Sequence, residues 1–216
     1  MKPFAALKFD VFKSCIRKFK SKMSSKSPSR DGKVYFSYAD VHQTLSALAP
    51  TLASEFKPDV IIAIGGGGFI PARILRTHLK VPILAISLEL YDDATNSVSD
   101  DGVVCHQWYD ETSKPGKLVE GGRVLIVDEV DDTRTTLQFC VEEILRRSKP
   151  AKVGVCVVHN KLKEKKGQLP DDVVYYAGET VADHWNCYPW DAAAYGIDIQ
   201  AHEELAIQCS QQGQVE

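Results

Sequence analysis

The sequence has no long apolar run, no paired-cysteine motif and no secretory signal, and each absence excludes a class of protein. No apolar segment approaches the length that spans a membrane. Apolar surroundings at Cys140 and Cys156 are typical of reduced core residues in an intracellular protein. We therefore expect a cytoplasmic protein, with the nucleus as an alternative. The cysteines lack CxxC spacing, so neither a zinc site nor a disulfide framework is predicted from Cys15, Cys105, Cys140, Cys156, Cys187 and Cys209.

Acidic residues are scarce at the start of the chain and abundant after it. Residues 1–30 contain nine Lys or Arg residues and one acid, whereas the rest of the chain contains 17 basic and 28 acidic residues. A body this acidic does not favour nucleic-acid binding. Phe4, Val11 and Phe19 recur near helical spacing among lysines, which fits a mitochondrial transit segment, a membrane-surface helix or a disordered extension. We favour the extension.

The length and composition predict one α/β domain. A chain of 216 residues with 44% hydrophobic residues can bury a sizeable core. Helical patterns, the first of which begins at a capping box, cover residues 37–56, 69 onward, 137–147 and 199–207. They alternate with apolar runs that predict strands at 60–64, 82–88, 103–109, 124–127, 152–159 and 173–177. We expect a central, mostly parallel sheet flanked by helices, with an N-terminal extension at 1–33, the domain at 34–209 and a tail at 210–216.

Residues 124–136 carry the strongest functional signal. A short apolar run, typical of a buried parallel strand, ends in carboxylates that would be costly there unless they face solvent, a metal or a polar ligand. In open α/β sheets, ligands bind outside the carboxyl ends of the strands. A threonine-rich turn then leads into a helix, whose N-terminal amides suit a phosphate. The acids are Asp128, Glu129, Asp131 and Asp132, and the turn contains Thr133, Arg134, Thr135 and Thr136. This arrangement predicts a site for a phosphorylated sugar.

A second turn, Gly65-Gly66-Gly67-Gly68, lies between a predicted strand and a predicted helix. Successive glycines expose backbone N–H groups and permit positive φ, which makes a nest for an anion. The dinucleotide fingerprint GxGxxG fails because Ile70 stands where the third glycine belongs. The phosphate loop GxxxxGK[ST] fails as well, since no Gly-Lys-Ser/Thr follows.

Together, the two turns resemble those of the type I phosphoribosyltransferases, in which an acidic pair and a spacer precede Asp-Thr-x-x-Thr. The resemblance implies that residues 132–136 bind the 5′-phosphate and that residues 65–68 form the pyrophosphate loop, with a cis Gly65–Gly66 bond as an option. Two positions depart from the pattern. Gly66 replaces the Lys or Arg of most purine-salvage members, which leaves Arg73 and Arg76 as the nearest cations. Arg134 replaces a common glycine, and its charge is an alternative contribution to phosphate binding.

The rest of the resemblance concerns the lid and the base. Residues 91–102 match the mobile loop that closes over the site, with Tyr91 at its hinge. The segment from Trp185 to Pro189-Trp190-Asp191 resembles the hood, at about 160–200, of the fungal hypoxanthine-guanine and the xanthine-guanine enzymes. That likeness implies that Trp185 stacks on the purine, that the backbone of Asn186 reads the base edge and that Lys161, or alternatively His159, contacts the 6-oxo group. For Trp190, core packing is an equal interpretation, and His106 is interpreted as structural.

The resemblance implies transfer of a phosphoribosyl group from phosphoribosyl pyrophosphate to hypoxanthine or guanine, with xanthine as a further acceptor. Asp128 and Glu129 would hold the ribose hydroxyls directly or through Mg²⁺, Asp191 would help to hold a second Mg²⁺, and Asp132 would hold the proton at purine N7. A homodimer is expected by the same resemblance. The alternatives are a nucleotide-sensing regulator with the same fold and a transferase for another base.

Overall fold

The computed structural model describes residues 21–89, 91–92, 97–98 and 102–213. The strands in chain order are β1 (Lys22–Met23), β2 (Lys33–Tyr35), β3 (Val60–Gly65), β4 (Ile83–Glu89), β5 (Tyr91–Asp92), β6 (Ser97–Val98), β7 (Val104–Gln107), β8 (Arg123–Asp131), β9 (Lys152–Lys161), β10 (Val174–Val181) and β11 (Trp185–Cys187). The α-helices are α1 (Tyr38–Thr51), α2 (Phe69–Leu79), α3 (Thr135–Ser148) and α4 (Ile199–Gln212). Shorter helical turns cover Leu52–Phe56, Gly116–Leu118 and Pro189–Tyr195.

Seven strands form the main sheet in the order β1-β10-β9-β8-β3-β4-β7. Every neighbouring pair is parallel except β4 and β7, which pair antiparallel at the edge. The predicted fold class, a mostly parallel sheet flanked by helices, is therefore confirmed. Of the five central strands, β3, β4 and β9 begin and end within two residues of the predicted apolar runs, whereas β8 and β10 extend further, to Asp131 and Val181.

The sheet is buried on both faces because its central strands are continuously apolar. On one face, Ile62 and Ile126 pack in a cluster with Leu137 and Ile144 of α3. On the other face, residues such as Ile61 and Leu125 pack with the apolar sides of α1 and α2. The helices on both faces leave the carboxyl ends of the strands as the open edge where a ligand can enter.

The first helix begins where the sequence predicts. The Ser37 hydroxyl accepts a hydrogen bond from the Asp40 amide, and the Asp40 carboxylate accepts one from the Ser37 amide. This capping box fixes the start of α1. The helix ends after a π-helical turn, where Lys57 adopts a left-handed conformation.

Two predicted domain boundaries need correction. Residues 21–33 belong to the domain, because β1 extends the main sheet beside β10 and the buried Lys26 side chain pairs with Asp40 at 2.8 Å. At the other end, α4 continues to Gln212, so the predicted tail begins too early. Residues 1–20, to which the alternatives of a transit segment, a surface helix and an extension apply, lie outside the described residues. Within the described part of the chain, no helix has the length and apolar character needed to cross a membrane.

Candidate active site

The carboxyl ends of β3, β4 and β8 surround a cleft of about 430 Å³. One wall is the glycine turn at Gly65–Gly67, and the floor and opposite wall are residues 128–137. The structure thus joins the two turns that the sequence singles out separately. It adds a third wall, formed by Ser87, Glu89 and His106, of which the sequence analysis named His106 alone and interpreted it as structural.

The glycine turn and the acidic pair fit closely together. A Cβ at Gly67 would lie 1.7 Å from Oε2 of Glu129, so a larger residue there would displace this carboxylate from its present position. Gly68 caps α2 and packs against backbone carbonyls instead of lining the cleft. The peptide bond between Gly65 and Gly66 is cis, which the resemblance had left as an option.

Asp128 and Glu129 lie side by side on the cleft floor, where the Glu129 amide donates to Oδ1 of Asp128 at 2.9 Å. Burial and the neighbouring charge of Glu129 raise the pKa of Asp128 well above its usual range. Oε2 of Glu129 is buried and finds no hydrogen-bond partner among the residues that the structure describes. Two crowded carboxylates of this kind favour a bound cation or a hydroxyl donor.

The threonine turn, residues 133–136, leads into the N-terminus of α3. The Thr133 and Thr135 hydroxyls are 3.1 Å apart, and the helix begins at Thr135 behind a left-handed Arg134 with φ of 69°. Amides in the first turn of a helix have no intrahelical partner, so Thr135 and Thr136 can offer N–H groups to an anion. The arrangement suits a phosphate held by hydroxyls and backbone amides.

The structure corrects one expectation for Arg134. Its guanidinium does not face the threonine turn but donates to Oδ2 of the buried Asp131, from Nη2 at 2.7 Å and from Nε at 3.0 Å. The guanidinium also lies 4.9 Å from the centre of the Tyr175 ring, and the Tyr175 hydroxyl donates to the same carboxylate oxygen at 2.7 Å. The guanidinium is therefore engaged within the protein, and only the backbone of Arg134 remains available at the turn.

Asp132 lies between two lysines. Its Oδ1 is 3.0 Å from Nζ of Lys163 and 3.4 Å from Nζ of Lys161, and both lysines also approach Asp183. Burial alone would raise the pKa of Asp132, but the hydrogen bond from Lys163 and the charges of both lysines lower that pKa below its usual range. Asp132 is therefore ionised at neutral pH.

The predicted purine-binding residues, Lys161, Trp185 and Asn186, do not line the cleft itself, and of the three Lys161 reaches Asp132. Trp185 is 52% exposed, and Nζ of Lys161 lies 5.9 Å from the centre of its ring. Trp185 and the buried Asn186 belong to β11, which pairs with β2. The strand that carries Trp185 and Asn186 is therefore held in place by residues 33–35.

His159 and Lys161 occupy different environments. His159 is fully buried, packs against the Phe36 ring with the two ring centres 3.9 Å apart and shares a hydrogen bond of 2.7 Å with the Tyr188 hydroxyl. Burial lowers the pKa of His159 to about 3, so its ring is neutral. Lys161 alone of this pair contacts both Asp132 and Trp185, which favours Lys161 over His159 as the purine contact.

The sequence analysis also named Tyr91, Asp191 and Arg73, and of the described residues neither Asp191 nor Arg73 lines the cleft. Tyr91 begins β5, whose backbone pairs with β6, and the remainder of the predicted lid lies largely outside the described residues. Partial burial and the charge of Glu129 raise the pKa of Asp191, which indicates that the two carboxylates are close enough to interact. In the described ranges, no cluster of three or more metal-ligating side chains is preformed. Arg73 donates to Thr77 on an exposed face of α2 and does not line the cleft.

Comparison with known proteins agrees with this geometry. The sequence model of the phosphoribosyl transferase domain matches residues 38–195. Hypoxanthine-guanine phosphoribosyltransferase of Schizosaccharomyces pombe is 40% identical over 79% of this chain and 93% of the relative. In Saccharomyces cerevisiae, xanthine phosphoribosyltransferase 1 is 42% identical over 81% of this chain and 95% of the relative.

Two solved structures resemble this chain in both sequence and fold. A hypothetical protein from Neisseria gonorrhoeae with bound ppGpp shares 42% identity and a TM-score of 0.70 over 82% of this chain and 96% of that chain. Purine phosphoribosyltransferase from Pyrococcus horikoshii shares 28% identity and a TM-score of 0.57 over 74% of this chain and 94% of that chain. The chain belongs to the phosphoribosyl transferase family, and within it to the purine phosphoribosyltransferases.

Proposed function

We propose that the protein transfers the 5-phosphoribosyl group of phosphoribosyl pyrophosphate to N9 of hypoxanthine or guanine, with xanthine as a further acceptor. The observation that carries this proposal is the single cleft that joins the glycine turn, the acidic pair and the threonine turn beside Asp132. Each part matches one part of the donor: an anion nest for pyrophosphate, carboxylates for ribose hydroxyls and a helix N-terminus for the 5′-phosphate.

The threonine turn and the acidic pair orient the sugar. The hydroxyls and amides of residues 133–136 hold the 5′-phosphate, and the carboxylates of Asp128 and Glu129 accept hydrogen bonds from the 2′- and 3′-hydroxyls. The negative charge that this pair carries lies near C1, which becomes positive as pyrophosphate departs. This is electrostatic stabilisation of an oxocarbenium-like transition state by groups that are already in place.

Enzymes of this family generally act on the magnesium complex of phosphoribosyl pyrophosphate. The residues present fit that ion, because Asp128 and Glu129 offer crowded oxygen ligands and Oε2 of Glu129 has no described protein partner. Asp191 is the candidate for a second ion because it is close enough to Glu129 for their charges to interact. When bound, magnesium would neutralise the charge of the pyrophosphate.

The purine lies between Trp185 and the lysine pair in this proposal. Stacking on an exposed indole contributes on the order of 1–3 kcal/mol per base and tolerates different purines. Lys161 donates to the 6-oxo group, which favours 6-oxopurines over adenine. Asp132 accepts a hydrogen bond from N7–H while N9 attacks C1 and pyrophosphate leaves, and the N7 proton then passes by way of Asp132 to solvent. Because its pKa is low, Asp132 acts mainly as a charged acceptor and less as a strong base.

The test is nucleotide formation with magnesium, phosphoribosyl pyrophosphate and hypoxanthine, guanine, xanthine or adenine in parallel, followed by chromatography. IMP and GMP without AMP are expected, and the amount of XMP measures how well xanthine serves as a further acceptor. AMP as the main product would contradict the role of Lys161. No nucleotide from any base, with the donor still bound, would favour a regulator with this fold. A homodimer is proposed by family resemblance, and sedimentation of the purified chain tests it.

A further inference from the structure

The third wall of the cleft is shaped by an irregularity in the edge strand. Ser87 of β4 pairs with Gln107 of β7, whereas the next residue, Leu88, pairs with Cys105. His106 is therefore an extra residue in β7, which is a β-bulge. Bulges at sheet edges beside active sites change the direction in which a side chain points. Here the side chain of His106 lines the cleft, and its Nε2 contacts the carboxylate of Glu89, which lines the same wall.

This wall lies opposite the threonine turn and next to the glycine turn. Ser87 pairs with Gly65 on one side and with Gln107 on the other, so β4 alone separates the bulge from the pyrophosphate loop. Neighbouring strands are about 4.8 Å apart, which places the bulge roughly 10 Å from Gly65. An imidazole and a pyrophosphate group together are long enough to bridge that gap.

An anion in the cleft has few basic side chains to bind among the described residues. Of the described residues that line it, only Arg134 and His106 carry basic side chains. The Arg134 guanidinium is bound to Asp131. The glycine turn has Gly66 and no cation, so a pyrophosphate held there would depend on backbone amides, magnesium and whichever basic side chain can reach it.

We infer that His106 donates a hydrogen bond to the pyrophosphate group of phosphoribosyl pyrophosphate, and that Glu89 orients its ring. Glu89 engages Nε2, which leaves Nδ1 as the nitrogen that meets a phosphate oxygen. Donation from both nitrogens requires the doubly protonated ring, whose charge also suits the anion. The inference rests on the proposed function and adds a binding residue to it.

The experiment compares His106→Ala with His78→Ala as a matched control. His78 is a histidine on α2 that contacts Ser46 and does not line the cleft. Calorimetry with magnesium measures binding of phosphoribosyl pyrophosphate, pyrophosphate and IMP. For H106A, affinity for the two pyrophosphate-containing ligands falls roughly tenfold, as expected when one hydrogen bond to a charged group is lost. Affinity for IMP, which has no pyrophosphate, stays at the wild-type value.

The other outcomes separate the possible failures. Unchanged pyrophosphate affinity in H106A would overturn the inference, and so would an equal loss of IMP affinity, since that indicates a merely structural role. A wild-type protein that binds the donor but forms no nucleotide would contradict the proposed function while the binding comparison still decides on His106. If the wild type binds neither the donor nor pyrophosphate, both proposals fail. Glu89→Gln is expected to weaken pyrophosphate binding less than H106A does.

Discussion

Arg134 and Asp131 form a buried ion pair directly beneath the threonine turn, with Nη2 and Oδ2 2.7 Å apart and side chains only 7% and 0% exposed. The Tyr175 hydroxyl donates to the same carboxylate, and Nζ of Lys165 lies 3.6 Å from its other oxygen. This network explains how an arginine occupies a left-handed position at the N-terminus of α3. The buried pair holds the side chain inward, and the backbone remains available to a ligand.

The pair predicts a difference between two substitutions of Arg134. Both Arg134→Gly and Arg134→Ala should lower the free energy of unfolding by roughly 3 kcal/mol, because each leaves Asp131 without its main partner. The alanine variant should be the less stable of the two by about 1 kcal/mol, since only glycine adopts positive φ without a Cβ penalty. Urea unfolding measures both values. Equal stability of the two variants would contradict strain at this position.

Substitution of Asp132 should separate turnover from donor binding. Asp132→Asn should lower kcat on the order of a hundredfold, because the amide cannot hold the N7 proton as a carboxylate does. The affinity for phosphoribosyl pyrophosphate should change little, since residues 133–136 and the glycine turn carry that binding. Steady-state kinetics and calorimetry check the two quantities. Asp183→Asn, which changes the second carboxylate beside Lys161 and Lys163, should affect kcat much less.

The two tryptophans of the hood should respond differently to truncation. Trp185→Ala should raise the KM for the purine by roughly tenfold or more while stability stays near wild type, because the exposed indole serves as a stacking surface. Trp190 stacks on the buried Tyr188 at 4.8 Å, so Trp190→Ala should mainly lower the melting temperature. A thermal shift assay and initial rates for both variants test this division. An unchanged purine KM in W185A would remove Trp185 from the binding site.

His159 predicts an acid-sensitive step in stability. Its folded-state pKa of about 3 lies below the ordinary 6.5, so the unfolded chain takes up a proton that the folded chain does not. The contribution of His159 to the free energy of unfolding is therefore fully present above pH 6.5. This contribution is lost as the pH falls below 6.5. Between pH 7.5 and 5.5, the wild type should lose about 1 kcal/mol more unfolding free energy than His159→Gln. Parallel pH dependence in both proteins would contradict a buried neutral histidine.

Local sequence determined the parts of this protein that are contiguous in the chain. The apolar run, the acids and the threonine turn of residues 124–136 follow one another, so the order strand, carboxylates and helix N-terminus predicts both their structure and their ligand. The glycine turn and the capping box at Ser37 are equally local, and the structure has both. The alternation of predicted strands and helices along the chain was enough to predict a mostly parallel sheet flanked by helices.

Tertiary structure decided which way individual side chains face. Arg134 turns inward because Asp131, Tyr175 and the core lie beneath it, and His159 is enclosed by Phe36 and Tyr188 from distant segments. The bulge at His106 depends on the register between β4 and β7, and residues 21–33 join the domain through distant partners such as β10, Asp40 and α4. Such choices depend on contacts between residues far apart in the chain. Local propensity and periodicity therefore determine which elements form, whereas long-range packing and pairing register determine what each side chain contacts.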